Sequence, residues 1–382
     1  MTMELTIYSF SLCIALPLIV FFGFYFLFAK TPEKGIFKNY LRSRRMMGLA
    51  LLLLAANYSV HFFFGIRFRN VNAAILMNLS TYFLCYYLFS SAMITLLDRF
   101  YITQRRSRTH VILWVIFTFL SGVVLLLLPG GAVQKVDLLA LAAWLVAYGL
   151  VLARRVLVAY RRAVRVFDDT HADDMGAYIK WLSTFTYWAV IFGVGCGLLT
   201  FLPDEYVYIW ILSSIPFYCY LFYCYQNYLL FYEQVENAFE QDVPSENEFL
   251  AEPEADAEEK DEPGVPVSYS EMVEKVECWI RTDGYVQPGL TIRELSELLH
   301  TNRTYLSGYI KTTYKMTFRE WITGLRLEYA KDMLKGHPEM SVQKLAEASG
   351  FLSRSYFIKA FTKKEGVHAG QVEKGKSWIR RE

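Results

Sequence analysis

The first 231 residues carry seven apolar runs, and no other feature narrows the possible folds of this chain as much. They fall at 6–29, 46–66, 75–97, 111–128, 138–153, 181–202 and 207–231. Each is close to the roughly 17 to 25 residues that a helix needs to cross a bilayer. Hydrocarbon offers no partner to a backbone N–H or C=O, so such runs must close their own hydrogen bonds, and helices do that within one segment. The fifth run is the shortest and ends against Arg154 and Arg155. The first is too long for a signal peptide and has no basic stretch ahead of it, so it is expected to remain as a span. Composition agrees, because 54% apolar and 17% aromatic residues is heavy for a soluble protein.

Lysine and arginine sort the connections into two sets, and cytoplasmic loops are the ones that collect them. One set holds sixteen: Lys30, Lys34, Lys38, Arg42, Arg44 and Arg45, then Arg99, Arg105, Arg106 and Arg108, then Arg154, Arg155, Arg161, Arg162, Arg165 and Lys180. The other holds Arg67, Arg69 and Lys135. The N-terminus is therefore expected outside and the C-terminus inside, as an odd number of spans requires. The localisation this implies is a membrane crossed many times, with the lipid bilayer as a partner and the C-terminal part on the cytoplasmic side. The outer connections are short, so a signal has to be met in or near the membrane. Within the spans, Asn57 and His61 lie one helical turn apart and Asn78 sits on the next span. Polar groups are costly in a bilayer and turn toward the bundle interior. They read either as interhelical hydrogen-bonding groups or as a membrane signal site for an unnamed ligand or partner.

Between residues 233 and 267 the chain turns acidic and rich in helix breakers, with 13 Asp and Glu against Lys260 alone, which reads as a disordered linker. Residues 270–382 hold 19 Lys and Arg against 14 Asp and Glu, a modest net charge of +5. The expected organisation is a seven-span domain at 1–232, a linker at 233–267 and a helical domain at 268–382. The six cysteines form no Cys-x-x-Cys pair, and no Gly-rich phosphate loop, zinc-protease motif or nucleophile elbow stands out. Neither an enzyme nor a metal or cofactor site is expected.

Two short helix-turn-helix units joined by one long helix occupy residues 291–364. In the first, Thr291 and Glu294 make a capping box, Leu295, Leu298 and Leu299 give an apolar side, and His300 to Asn302 form the turn. The helix that follows turns Leu306 and Ile310 inward and Arg303, Thr304, Ser307 and Lys311 outward. In the second unit Leu345 and Ala348 are expected to face in, Gly350 supplies the turn, and Phe357 and Phe361 hold the second helix down. Tyr305, Leu306 and Ile310 recur as Tyr356, Phe357 and Phe361, 51 residues later, so this is an internal repeat. Between them a second capping box, Thr317 and Glu320, opens a helix predicted over 317–335 with Phe318, Ile322, Leu325, Tyr329 and Met333 on one face. Its length of about 28 Å is near the spacing of roughly 34 Å between successive major-groove faces of duplex DNA.

At these residues the chain resembles the DNA-binding domain of the AraC/XylS family of bacterial transcription regulators, from about 270 to 374. The best-matching string is LAEASGFLSRSYFIKAFTKKEG, residues 345–366. Together with the seven apolar runs, the resemblance implies an all-α fold: a seven-helix transmembrane bundle followed by a double helix-turn-helix domain. It implies double-stranded promoter DNA as a partner, with a second copy of the chain and RNA polymerase as further candidates. It places base readers at Thr304, Ser307 and Gly308 in the first unit and at Arg354, Ser355 and Lys359 in the second. Arg303, Lys311, Lys363 and Lys364 are then phosphate contacts. The sequence departs from the family at Gly308, where a basic or polar reader is usual, and at 366–371, where GVHAGQ replaces Gly-x-Thr-Pro. The functional expectation is a membrane-embedded, sequence-specific transcription regulator. The alternative is a membrane transporter or scaffold whose helical tail does not bind DNA.

Overall fold

The chain is helical throughout the residues described by the computed structural model, namely 3–128, 131–199, 204–242, 269–337 and 339–366. Among them there is no β-strand, only an isolated bridge between His171 and Thr291. The chain divides into two compact units. One comprises Met1–Arg162 with Ile179–Gln234, and the other Ala163–Tyr178 with Val235–Glu382.

The first unit contains α1 (Met3–Phe28), α2 (Lys38–Phe64), the single turn α3 (Ile66–Arg69), α4 (Val71–Thr95) and α5 (Gln104–Gly122). It continues through most of α6 (Ala132–Thr170), α7 (Gly176–Leu199) and α8 (Asp204–Asp242). All seven predicted spans lie on α1, α2, α4, α5, α6, α7 and α8, the sixth running past the described residues at 200. Among the described residues, six of these helices, α1, α2, α4, α5, α6 and α8, are long and apolar enough to cross a membrane. Their packing is aromatic: Phe83 stacks on Tyr148 at 4.0 Å and on Phe117 at 4.6 Å. Ser43 ties α2 to α4 and α8, donating to the Ala92 carbonyl at 2.6 Å and lying 2.8 Å from the Tyr225 hydroxyl. The outside is apolar too, with Phe24, Ile112 and Leu139 exposed. Such a surface in water would be an aggregation hazard.

The expected linker starts later than 233, because α8 continues to Asp242. Residues 233–242 contain no proline or glycine and keep a helix-compatible composition, whereas Pro244 follows. The rest of that stretch, 243–267, and the segment 367–371 where the family closing is replaced lie outside the described residues.

The second unit holds α9 (Tyr269–Arg281), a short 3-10 turn (Gly284–Val286), α10 (Ile292–Leu298), α11 (Arg303–Tyr314), α12 (Phe318–Gly336), α13 (Val342–Ala348) and α14 (Arg354–Glu365). Two cores form along α12. Its first turns, Phe318 to Ile322, pack with Trp279, Tyr285, Leu295, Leu306 and Ile310, and its later turns, Leu327 to Leu334, pack with Leu345, Phe351, Phe357 and Phe361. The capping boxes at Thr291/Glu294 and Thr317/Glu320 are both formed.

Three expected faces are rotated. Leu298 is exposed, because the buried stripe of α10 runs through Ile292, Leu295, Ser296 and Leu299. Ala348 is likewise exposed and Ala346 takes the inward place beside Leu345. On α12 the buried positions are Phe318, Trp321, Ile322, Arg326, Leu327, Ala330 and Leu334, with Leu325, Tyr329 and Met333 half-buried at the flank. A helix that must serve two cores buries a wider arc than one stripe.

Candidate nucleic-acid interface

Each outward-facing helix of the C-terminal unit is started by a side chain and held by a two-residue hydrophobic anchor. Asn302 accepts from the Tyr305 N–H at 2.6 Å to open α11, and Ser353 accepts from the Tyr356 N–H at 3.3 Å to open α14. Leu306 and Ile310 anchor α11, and Phe357 and Phe361 anchor α14, all at 1% exposure or less. The turns before them both pass through the left-handed region, at His300 (φ 54°) and Gly350 (φ 81°). At Gly350 glycine is also required by space, since a Cβ would run into the Val286 carbonyl.

With the anchors inward, the predicted readers turn out. Thr304, Gly308 and Lys311 are exposed and Arg303 and Ser307 half-buried on α11. On α14 Arg354, Ser355, Lys359, Lys363 and Lys364 are exposed. Nothing lies within 4 Å of where a Gly308 Cβ would stand, so the fold itself does not demand glycine there. Lys364 is engaged inside the unit, donating to Glu328 at 2.7 Å, and this bond holds the Glu328 carboxyl below its ordinary range. Glu320 is also held low, first by the Thr317 backbone N–H that it accepts in the capping box.

The most engaged cations of this unit include two that sequence reasoning did not single out, Arg319 and Arg326, both on α12. Arg326 is fully buried, donating to the carbonyls of Tyr285 at 2.8 Å and Gln287 at 2.6 Å and to Asp173 at 3.3 Å. Burial pulls its pKa down, and Asp173 opposes that. Arg319 donates to Asp174 at 2.8 Å and lies 3.1 Å from Asp168. Two predicted contacts meet the same segment: Lys311 donates to Asp169 at 2.7 Å and Lys359 lies 3.6 Å from Asp174. The segment is fixed by its backbone as well, since the Ala172 N–H donates to the Leu290 carbonyl at 3.0 Å and the Gly289 N–H donates to Asp173 at 3.1 Å. One signal could have found it. Two Asp-Asp pairs, Asp168-Asp169 and Asp173-Asp174, interrupt a connection that is otherwise basic from Arg154 to Lys180.

In the apolar unit Asn57 and His61 of α2 meet Asn78 of α4. Asn78 Oδ1 accepts from Asn57 Nδ2 at 3.1 Å and lies 3.0 Å from His61 Nε2, and Asn57 Nδ2 also reaches Thr81 Oγ1 at 3.1 Å. A carbonyl oxygen only accepts, so Nε2 carries the imidazole proton and Nδ1 is left as an acceptor. His61 Nδ1 and Asn57 Oδ1 are both buried without a hydrogen-bond partner.

Residues 295–375 match the family described as Helix-turn-helix domain. Over 74 residues the chain is 34% identical to the uncharacterized HTH-type transcriptional regulator YijO of Escherichia coli (strain K12), covering 19% of this chain and 26% of that protein. It is 37% identical over 78 residues to the uncharacterized HTH-type transcriptional regulator YobQ of Bacillus subtilis (strain 168), covering 20% and 32%. It is 28% identical over 85 residues to the melibiose operon regulatory protein of Escherichia coli (strain K12), covering 22% and 28%. The match thus spans about a third or less of each of these relatives. No solved structure matches the chain. The C-terminal unit therefore carries an AraC-type helix-turn-helix domain, the class of domain that its helices α10 to α14 build.

Proposed function

We propose that this chain is a membrane-embedded bacterial transcription regulator that binds promoter DNA through two helix-turn-helix units. The observation that carries this reading is the pair of capped helices, α11 and α14, set on one connecting helix of about 28 Å with cationic and polar side chains turned outward. DNA affinity comes from phosphate neutralisation and specificity from base edges. Arg303, Lys311 and Lys363 supply the first. Thr304 and Ser307 on α11, and Arg354, Ser355 and Lys359 on α14, supply the second. Arginine makes a bidentate contact to guanine worth roughly 1–3 kcal/mol of discrimination, so the second unit dominates sequence choice.

The apolar helices hold the reader at the cytoplasmic membrane with the N-terminus outside, in a seven-span arrangement, and a signal reaches it through them. Asn57, His61 and Asn78 are the candidate signal site, supported by the two unpaired buried acceptors, which suit a hydrogen-bond donor. A second copy of the chain and RNA polymerase are the partners expected at a promoter. The test is topology. A reporter active only in the cytoplasm works when fused after Arg106 or Phe231 and fails after Gly130; the reverse pattern puts the helix-turn-helix domain outside the cell and ends the proposal.

A further inference from the structure

The junction of α6 and α7 carries four aspartates, Asp168 and Asp169 in the last turn of α6 and Asp173 and Asp174 in the connection that follows, and it is built into the C-terminal unit. Its residues divide into an anchor and a cover. The anchor is Ala172, fully buried in the core with Trp279 and Leu295, together with the His171–Thr291 bridge and the buried pair of Asp173 with Arg326. The cover is Asp168, Asp169 and Asp174, whose carboxylates sit on Lys311 of α11, Arg319 of α12 and Lys359 of α14. One acidic strip thus reaches a cation on the outward helix of each pair and one on the helix that joins them.

A cation paired with a carboxylate has to give up that partner before it can neutralise a phosphate and release a counterion condensed on DNA, so it gains less from binding. We propose that Lys311, Arg319 and Lys359 form one surface with two mutually exclusive occupants, the aspartate strip at the α6–α7 junction and duplex DNA. The proposal rests on the DNA-binding reading above and adds that the chain supplies its own competitor. The two lysine contacts are of the kind that yields. Lys311 and Lys359 are 53% and 74% exposed, so their contacts are screened by water and salt, whereas Arg319 is 21% exposed beside aspartates at 20% and 14%, and the Asp173–Arg326 anchor is buried. The cover can therefore lift first at the two outward helices while the anchor holds. The strip is covalently continuous with α6 and α7, so any signal that shifts the ends of those helices reaches the DNA surface without a second messenger.

The test uses the full chain in lipid nanodiscs and a fluorescent 30-bp duplex of mixed sequence, which reads phosphate binding without knowledge of a target site. The double variant Asp169→Asn/Asp174→Asn removes two covering charges and leaves Asp173 in place. It is expected to bind the duplex roughly tenfold more tightly, with a log–log salt slope steeper by one to two, near 0.9 per freed cation. Asp332→Asn/Glu339→Gln removes the same charge from exposed positions away from the strip and is expected to change affinity less than about twofold. Equal or weaker binding by the strip variant overturns the shared surface and leaves the strip as a structural strut. An equal gain in the control variant overturns it too, by making the effect one of overall charge. Absence of binding by every form at low salt defeats the DNA-binding reading itself, which is a different result from equal binding by all of them.

Discussion

The two helix pairs of the C-terminal unit share a scaffold and differ in what they put on it. Both open their outward helix with an Asn or Ser cap, anchor it with two buried side chains and reach it through a left-handed turn residue. The first pair sits in a core rich in tryptophan and tyrosine and shows Thr304, Ser307 and Gly308 to the outside. The second sits in a smaller core of Leu and Phe and shows Arg354, Ser355 and Lys359. A repeat therefore fixes where the outward side chains stand without fixing what they are. On the proposed reading, discrimination among bases falls to the second pair, and the first contributes packing and phosphate contacts.

The largest expected effect comes from the element both pairs depend on. Arg326→Met leaves Asp173 buried without its partner and two carbonyls without a donor, and is expected to cost about 3–5 kcal/mol, since breaking a buried ion pair strands a charge. Hydrogen exchange across α9 to α14 should then accelerate in both pairs; acceleration in one alone would show that Arg326 does not couple them. Next comes Gly350→Ala, expected to destabilise the second pair by about 2–4 kcal/mol, from the left-handed backbone and the clash with Val286. The matching change His300→Gly should alter the first pair by less than about 1 kcal/mol, because His300 already tolerates that backbone. Similar losses at both turns would mean that the pairs are not built differently there.

Much of this unit was legible in the sequence, because its signals are local. Both capping boxes, both turns and most of the outward positions on α11 and α14 follow from side-chain types at fixed offsets, and the structure shows them there. The rotated faces of α10 and α13 were not legible. A seven-residue helix has fewer than two turns, so Leu298 and Ala348 satisfy an apolar pattern as well as the residues that are buried. Nor was the burial of Arg326, which depends on carbonyls about 40 residues away and on Asp173, 153 residues away. The aspartate strip was hidden for the same reason: its partners come from a distant part of the chain, and within its own connection it reads as solvated charge. In the apolar unit the helical period places Asn57 with His61, whereas their meeting at Asn78 is set by how α2 packs on α4.

Acid should loosen the shared helix before it touches the cores. Glu320 and Glu328 are both held below the ordinary value of 4.5 by hydrogen bonds present only in the fold, so they bind protons less readily folded than unfolded. Their contribution is present above that value and fades as pH falls through the lower folded values. Hydrogen exchange in α12 should rise on going from pH 5 to pH 3 after correction for intrinsic rates, and Glu320→Gln should flatten that rise. The smallest effect is Gly308→Ala, which meets open space in a helix interior and should stabilise α11 by up to about 1 kcal/mol. If it also leaves DNA affinity unchanged, Gly308 is not a point of close approach to the backbone of DNA.

The division of labour between the two pairs is tested most directly by selecting duplexes from a random library with the full chain in nanodiscs, in three forms: unaltered, Arg354→Ala and Thr304→Val. The expected result is a selected site with two blocks about one helical turn apart, of which the stronger loses one or two positions in Arg354→Ala and is kept in Thr304→Val. A site whose preference survives Arg354→Ala and disappears in Thr304→Val would reverse the assignment, and no selected site from any form would contradict sequence reading by this domain altogether.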